Sequence, residues 1–428
     1  MTDAKESGRM VFSRRGMLQM SGAAAAAAAI GAPLATLRIP VAGAQESVDI
    51  TIWNNHPEWQ EPLTELLNAF TTATPGVAIE LTAFPGQDYR PKLATALQSE
   101  TPSDVLGLND GDLVGVYKNG PDTPCIDLTG VVDVSTLIDS ARGQVEIDGV
   151  VWGVPLASYT VGLAMQNPVM ADAGLTAPTT WDELKTVCQA LLDQGITPLA
   201  FGGKDEIHSF FMYSGLVSSV LGPAGFDEVR TGARKLTDAD ALTAAQMLKD
   251  LQPYLNEGFE ATDYVTAKAL FAQQQAAMMV AGTADFTGFV EDNPDADLAF
   301  VAWPGPEAGK HATNTGMELL YTVSKFSSPE KQEAATKFVQ WLATEDAQQI
   351  VADTIALPIS KEVTELEDPI KAGTVAVRDQ DVTVWYSLPE SVGTYAAVTE
   401  NFGGFWAGDL TPEAFAEAIQ ASIVPSGA

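Results

Sequence analysis

The chain has 428 residues, 46% of them hydrophobic, and 56 acidic residues face 23 basic ones for a formal net charge of −33. So acidic a surface repels nucleic acid and anionic headgroups, which excludes nucleic-acid partners and suits a protein kept in solution outside the cytoplasm. The length exceeds one ordinary core and predicts two domains.

At the N-terminus, Ser13-Arg14-Arg15-Gly16 precedes a stretch without charge from Gly16 to Leu37. Basic residues, an apolar run and the small residues Ala42-Gly43-Ala44 are the three parts of an export signal, which places residues 1–44 in a leader cleaved after Ala44. The arginine pair followed by Met17-Leu18 resembles the twin-arginine signal, which implies export in the folded state. The competing reading is a retained anchor, since the run is long enough for a bilayer core of about 30 Å. Gly22, Gly31 and Pro33 speak against a lipid-facing helix. Removing the leader takes Lys5, Arg9, Arg14, Arg15 and Arg38 away against Asp3 and Glu6, so the remainder is more acidic still.

Beyond the leader, strands and helices alternate. Ile50 and Ile52 predict a strand, and Leu63, Leu66, Leu67 and Phe70 recur at helical spacing. A second strand is expected at Val77, Ile79 and Leu81, a helix through Tyr89, Leu93, Ala96 and Leu97, and a third strand over residues 103–108. Such alternation requires crossovers of one hand and a mainly parallel sheet flanked by helices, an α/β architecture. Thr180-Trp181-Asp182-Glu183 reads as a capping box, in which hydroxyl and carboxylate satisfy orphan backbone donors reciprocally. Ser328-Pro329 and Thr411-Pro412 start two further helices. Cys125 and Cys188 form neither a disulfide framework nor a zinc pattern. Cys188 is expected to be a buried thiol in a helix beside Leu184, Leu191 and Leu192, with a single bridge to Cys125 as the alternative.

Open parallel sheets bind ligands beyond the carboxyl ends of their strands. Trp53, Asn54, Asn55, His56, Glu58 and Trp59 follow the first strand, and Asn109, Asp110 and Asp112 follow the third. Ser158 and Tyr159 follow the strand-like Val150-Val151-Trp152-Gly153-Val154-Pro155. A pyranose has C–H-rich faces that lie on aromatic rings and edge hydroxyls that pair with carboxylates and amides, so a carbohydrate fits this set.

The order of these segments resembles the extracellular solute-binding proteins of sugar ABC importers, of the maltose-binding type. The residues that carry it are Ile52-Trp53-Asn54, Phe70 with Pro75-Gly76, Lys92-Leu93-Ala94-Thr95-Ala96-Leu97 and Pro102-Ser103-Asp104-Val105. Ile147-Asp148-Gly149-Val150-Val151-Trp152-Gly153-Val154-Pro155 follows, then Ala173-Gly174-Leu175, Pro178 and Thr180-Trp181-Asp182-Glu183-Leu184. Gly195-Ile196-Thr197-Pro198-Leu199, Gly202-Gly203-Lys204-Asp205, Leu270-Phe271, Ala276-Ala277-Met278-Met279, Gly282 and Ala334-Ala335-Thr336-Lys337-Phe338 complete it.

The resemblance implies a two-lobe periplasmic-binding-protein fold with three crossovers between lobes. Lobe 1 is expected from 45–156 and 300–358, and lobe 2 from 157–299 and 359–428. Hinge closure around a carbohydrate ligand and recognition of the closed form by a membrane ABC permease follow from the same resemblance, as does a monomer without cofactor or metal. The expected ligand-binding residues are Trp53, Asn54, His56, Glu58, Trp59, Asp110, Tyr159, Asp205, His208, Glu318, Trp385 and Tyr386. Trp181, Phe338 and the Ala277-Met278-Met279 strand are expected to pack the core. Glu206-Ile207-His208 and Thr283-Ala284-Asp285-Phe286 stand where many relatives carry a tryptophan, so two stacking platforms are absent or moved.

One rival is a secreted carbohydrate-active enzyme. Three histidines, no HExxH pair and no nucleophile elbow give it little support, although a two-carboxylate glycosidase leaves no short motif. Another rival is a binding protein for a cationic solute such as a polyamine, held by Glu58, Asp110, Asp205 and Glu318 with Trp53 and Tyr159. Anionic solutes favour bidentate arginine, and Arg90, Arg142, Arg230, Arg234 and Arg378 follow no strand of the crevice.

Overall fold

The computed structural model describes residues 35–40, 47–108, 123–204, 206–283, 285–293, 295–378, 382–383 and 391–423. Its first element, β1 (Ala35–Ile39), lies inside the stretch assigned to the leader and nevertheless joins the sheet. The alternating residues around Ile50 form β2 (Val48–Asn54) with Ile50 and Ile52 fully buried. The helix Gln60–Ala73 presents Leu63, Leu66, Leu67 and Phe70 inward, as their spacing requires. β3 (Val77–Ala83), the helix Gly86–Gln98 and β4 (Val105–Leu108) complete the unit. β2 pairs in parallel with β3 and β4, and β1 closes the edge antiparallel to β3.

Asp104, just before β4, ties this unit to the helix Pro329–Leu342. Its carboxylate accepts from Thr51 N (2.8 Å), Thr51 Oγ1 (2.9 Å), Ser327 Oγ (2.7 Å) and Lys331 Nζ (2.9 Å). Burial alone would raise the carboxyl pKa, but the bonds from Ser327, Lys331 and Thr51 outweigh it and hold the group below 3.8.

The short hairpin β5 (Glu146–Ile147) and β6 (Val150–Val151) turns at Asp148 and Gly149, both at positive φ. Then comes β7 (Val154–Gln166), a strand of 13 residues of which only Tyr159 is not fully buried. β8 (Thr197–Ala200), β9 (Ala276–Gly282), β10 (Leu298–Val301) and β11 (Trp303–Pro304) follow. β12 (His311–Val323) is a second strand of 13 residues, and β13 (Val382–Thr383) pairs with it in parallel. The main path of the sheet is β1-β3-β2-β4-β12-β7-β9-β8. The parallel pairs are confined to β3-β2-β4, β8-β9 and β12-β13, and the long central strands run antiparallel to their neighbours on the main path.

Two large cores flank that path. One gathers Ile39 to Ala157 and Met317 to Ile359, and the other gathers Val161 to Trp303 and Val398 to Ile419. β7 leaves the first core after Ala157 and enters the second at Val161, while β12 makes the return at Gly316-Met317. The return was expected near residue 300. Instead β10 pairs with the second-lobe half of β7, and Trp303 is fully buried in the second core. The third crossing also comes after 358, because Ile138 N bonds Ile359 O and Lys361 N bonds Thr136 O, both within the first lobe. The backbone of β12 marks its own crossing: Leu319 sits at φ 46°, a left-handed conformation that costs about 1–3 kcal/mol for a residue with a side chain.

The helix Trp181–Asp193 starts at Thr180, whose hydroxyl accepts from Glu183 N at 3.3 Å. The reciprocal half of the expected capping box is displaced by one residue, since Glu183 Oε2 accepts from Thr179 N and Oγ1. Thr411 caps the helix Pro412–Gln420, and Ser328 precedes Pro329 without a side-chain cap. Cys125 and Cys188 are free, one in each core, and burial pushes their thiols up to about 11 and about 12. Trp181, Phe338, Ala277, Met278 and Met279 are core residues. Among the described residues no helix is long and apolar enough to cross a membrane, and residues 1–34 with the arginine pair lie outside that set.

Candidate functional site

The chain leaves β2 at Asn54 and must turn sharply away from β3. Asn54, fully buried, makes that turn: its Nδ2 donates to His56 O (2.7 Å) and its Oδ1 accepts from His56 N (2.8 Å). This double bond across two residues is the Asx geometry that substitutes for backbone pairing at a strand end. Asn54 therefore positions the loop. The 3-10 turn Pro57–Trp59 follows, and Trp59 stacks on His56 with ring centroids 4.1 Å apart and planes at 15°. Trp53 is half-buried on β2, edge-on to Phe84 at 5.2 Å and 5.9 Å from Lys92 Nζ.

β12 brings the carboxylate to this loop. Leu320 lies opposite Leu108 at the carboxyl end of β4, so Glu318 projects just past that end. His56 Nε2 is 3.5 Å from Glu318 Oε2, and the two side chains are 22% and 21% exposed. At that separation they form an ion pair when His56 is protonated and are too far apart for a strong hydrogen bond. Tyr159 lies opposite Gly316, and Ala157 opposite Glu318, so Tyr159 and Glu318 share one face of the sheet on a diagonal of about 7–8 Å. Tyr159 does not follow a strand, as expected, but sits mid-way along β7 between the cores. His56, Trp59, Glu318 and Tyr159 are thus gathered where the two long strands cross from one lobe to the other.

His208 is a correction. It is fully buried, its Nδ1 accepts from Gly202 N (2.8 Å) and its Nε2 faces Val280 O (2.8 Å). That arrangement fixes the neutral tautomer with the proton on Nε2. Burial pushes its pKa down to about 3, against the opposing effect of the Val280 bond. The ring is packed between Phe201 and Tyr264 and belongs to the core of the second lobe. Asp110, Asp205, Trp385 and Tyr386 lie outside the described residues, as does the side chain of Glu58.

The second lobe holds a group that pattern reading did not select. Asp285, buried at the start of the helix Asp285–Asp292, accepts from the Tyr264 hydroxyl and from Gly282 N (3.0 Å) and pairs with Lys268 Nζ (3.1 Å). Thr283 N donates to Thr160 O and Thr283 Oγ1 accepts from Thr160 N, which fixes this turn beside Tyr159. The signal for it in the sequence was the missing tryptophan after Gly282.

The profile of the bacterial extracellular solute-binding proteins matches residues 65–376. The chain belongs to that family. A protein of Escherichia coli (strain K12) described as an ABC transporter periplasmic-binding protein is 23% identical over 329 residues, covering 72% of this chain and 71% of that one. A protein of Rhizobium meliloti (strain 1021) described as a sugar-binding periplasmic protein is 24% identical over 199 residues, 44% of this chain and 46% of the relative. Among solved structures, a chitin oligosaccharide binding protein superimposes with a TM-score of 0.73 at 21% identity, covering 88% of this chain and 98% of its own. The solute-binding protein RafE in complex with raffinose gives 0.71 at 18% identity, with 88% and 98% covered. At these identities the likeness shows the two-lobe fold. This family member is a solute-binding component of transport.

Proposed function

We propose that this solute-binding protein takes a neutral sugar or oligosaccharide between its lobes and delivers it to an ABC permease. The observation that carries the reading is the junction of a stacked His56–Trp59 pair with the Glu318 carboxylate at the strand crossing. Apolar sugar faces need such rings, and edge hydroxyls need such a carboxylate. Trp53 and Tyr159 add aromatic surface, and Asp110, Asp205, Trp385, Tyr386 and Glu58 complete the expected set. Relatives described as sugar-binding and neighbours that hold raffinose and stachyose support the same class of ligand. The protein works outside the cytoplasmic membrane as a monomer, led there by residues 1–44 and exported folded.

The test is a thermal-shift series on the full chain with raffinose, chitotriose, galactose, glucose 6-phosphate and spermidine. A neutral sugar is expected to raise the melting temperature, because a ligand at a hundredfold its Kd stabilises the native state by about 2.7 kcal/mol. A shift with spermidine alone would transfer the cleft to cationic solutes, and release of smaller sugars from raffinose or chitotriose would make the protein an enzyme.

A further inference from the structure

Arg378 bonds to both long crossing strands and to the segment that leads into the third crossing, two of these contacts through its guanidinium and one through its backbone carbonyl. Arg378 ends the helix Pro369–Arg378, which packs against β10 on the second-lobe side, and its side chain is only 2% exposed. Its Nη1 donates to Ser158 Oγ (3.1 Å) on β7 and to Pro358 O (2.5 Å), in the first-lobe segment that leads into the third crossing. Its own carbonyl accepts from Thr313 Oγ1 (3.2 Å) on β12. Ser158 in turn donates both its N–H (2.9 Å) and its hydroxyl (3.4 Å) to Leu357 O, so the first crossing and the segment leading into the third are already joined where the guanidinium arrives.

We infer that Arg378 is the pin of the interlobe hinge, a positioning residue that sets how far the lobes open without ligand. Sequestering a guanidinium from water is costly and persists only where hydrogen bonds compensate it. Here the bonds to Ser158 and Pro358 run to segments at the boundary of the lobes, which must flex when the lobes swing. A planar fork with fixed donor directions holds its acceptors at set angles, which a flexible ammonium does not. Hinge motion is absorbed by a few residues where the chain passes from one body to the other, and Ser158 lies between Ala157 of the first core and Val161 of the second. Ser158 adjoins Tyr159, so the pin also fixes where that ring stands. The consequence for affinity rests on the cleft being the binding site, because the fraction of competent conformers scales the apparent Kd. The pin itself does not rest on it.

The experiment reads lobe spacing in the ligand-free full chain. Spin labels are placed at Glu65→Cys and Gln189→Cys, exposed positions on helices of the first and second lobes, while the native thiols stay unreacted because they are buried and hard to ionise. Arg378→Met is expected to widen the interlobe distance distribution about twofold or more. Arg378→Lys, which keeps a donor but not the fork, and Ser158→Ala, which removes one tie, should each widen it less. If Arg378→Met does not fold, the latter two variants carry the test. A wild-type distribution in the folded variants overturns the inference, including where their melting temperature falls, since that is the mark of a merely structural arginine. Raffinose titration of the same variants separates the claims: absence of sugar binding leaves a widened distribution standing, and tight binding with unchanged distances removes the pin alone.

Discussion

His208 and His56 were indistinguishable in the sequence, since both follow a strand and both sit among polar neighbours. Burial separates them. His56 keeps a fifth of its side chain exposed beside Glu318, whereas His208 is fully buried with both ring nitrogens engaged. The unfolded chain takes up a proton on His208 near pH 6.5 and the folded chain not until about pH 3. More protons are bound by the unfolded state across that window, so stability falls as pH drops through it, at no more than about 1.4 kcal/mol per pH unit. Melting curves at pH 7 and pH 5 should show the decline in the wild type and a smaller one in His208→Gln. Equal declines in the two proteins would mean that other groups carry the acid sensitivity.

The helical segment Glu206–Thr231, broken by a kink at Gly222, owes one contact to the absence of a side chain. A Cβ on Gly215 would stand 2.2 Å from Nε1 of Trp303, whose indole is fully buried on β11 and cannot retreat. Helix propensity favours alanine over glycine by about 1 kcal/mol, but overpacking a filled core costs about 1–3 kcal/mol. Gly215→Ala is therefore expected to lower the melting temperature, and a rise would show that Trp303 moves aside. Elements with a clean period were legible from sequence: Leu63, Leu66, Leu67 and Phe70 named their helix face, and Ile50 and Ile52 their strand. β7 was not, because a strand buried on both faces loses its alternation: Ser158, Thr160 and Gln166 are buried with the apolar residues, and only Tyr159 interrupts the burial. Its continuation through Ser158, and the return of β12 at Met317, depend on partners far away in sequence. For that reason the ties of Ser158 to Leu357 and Arg378 were not legible in the sequence, whereas the Trp53-to-Trp59 loop stood out by its place after a strand.

Across the whole molecule, the two-lobe plan was readable from the collinear order of short segments, and the limits of the lobes were not, since they are set by which core each strand enters. The outermost strand raises a separate issue. β1 pairs all five of its residues with β3, Arg38 Nη2 lies 2.6 Å from Asp49, and Ile39 is buried in the first core. A cut after Ala44 severs this strand from the chain it covers. β3 then becomes a bare rim of unpaired N–H and C=O groups, the kind of border to which other extended chains add. The precursor and the processed protein would thus differ in their tendency to self-associate, with the leader acting as an intramolecular guard until export is complete. Hydrogen exchange at the β3 amides should be faster in a chain beginning at Gln45 than in one beginning at Leu34, and light scattering should report more association. Identical exchange in the two would mean that the rim is sealed by other means and that the guard is dispensable.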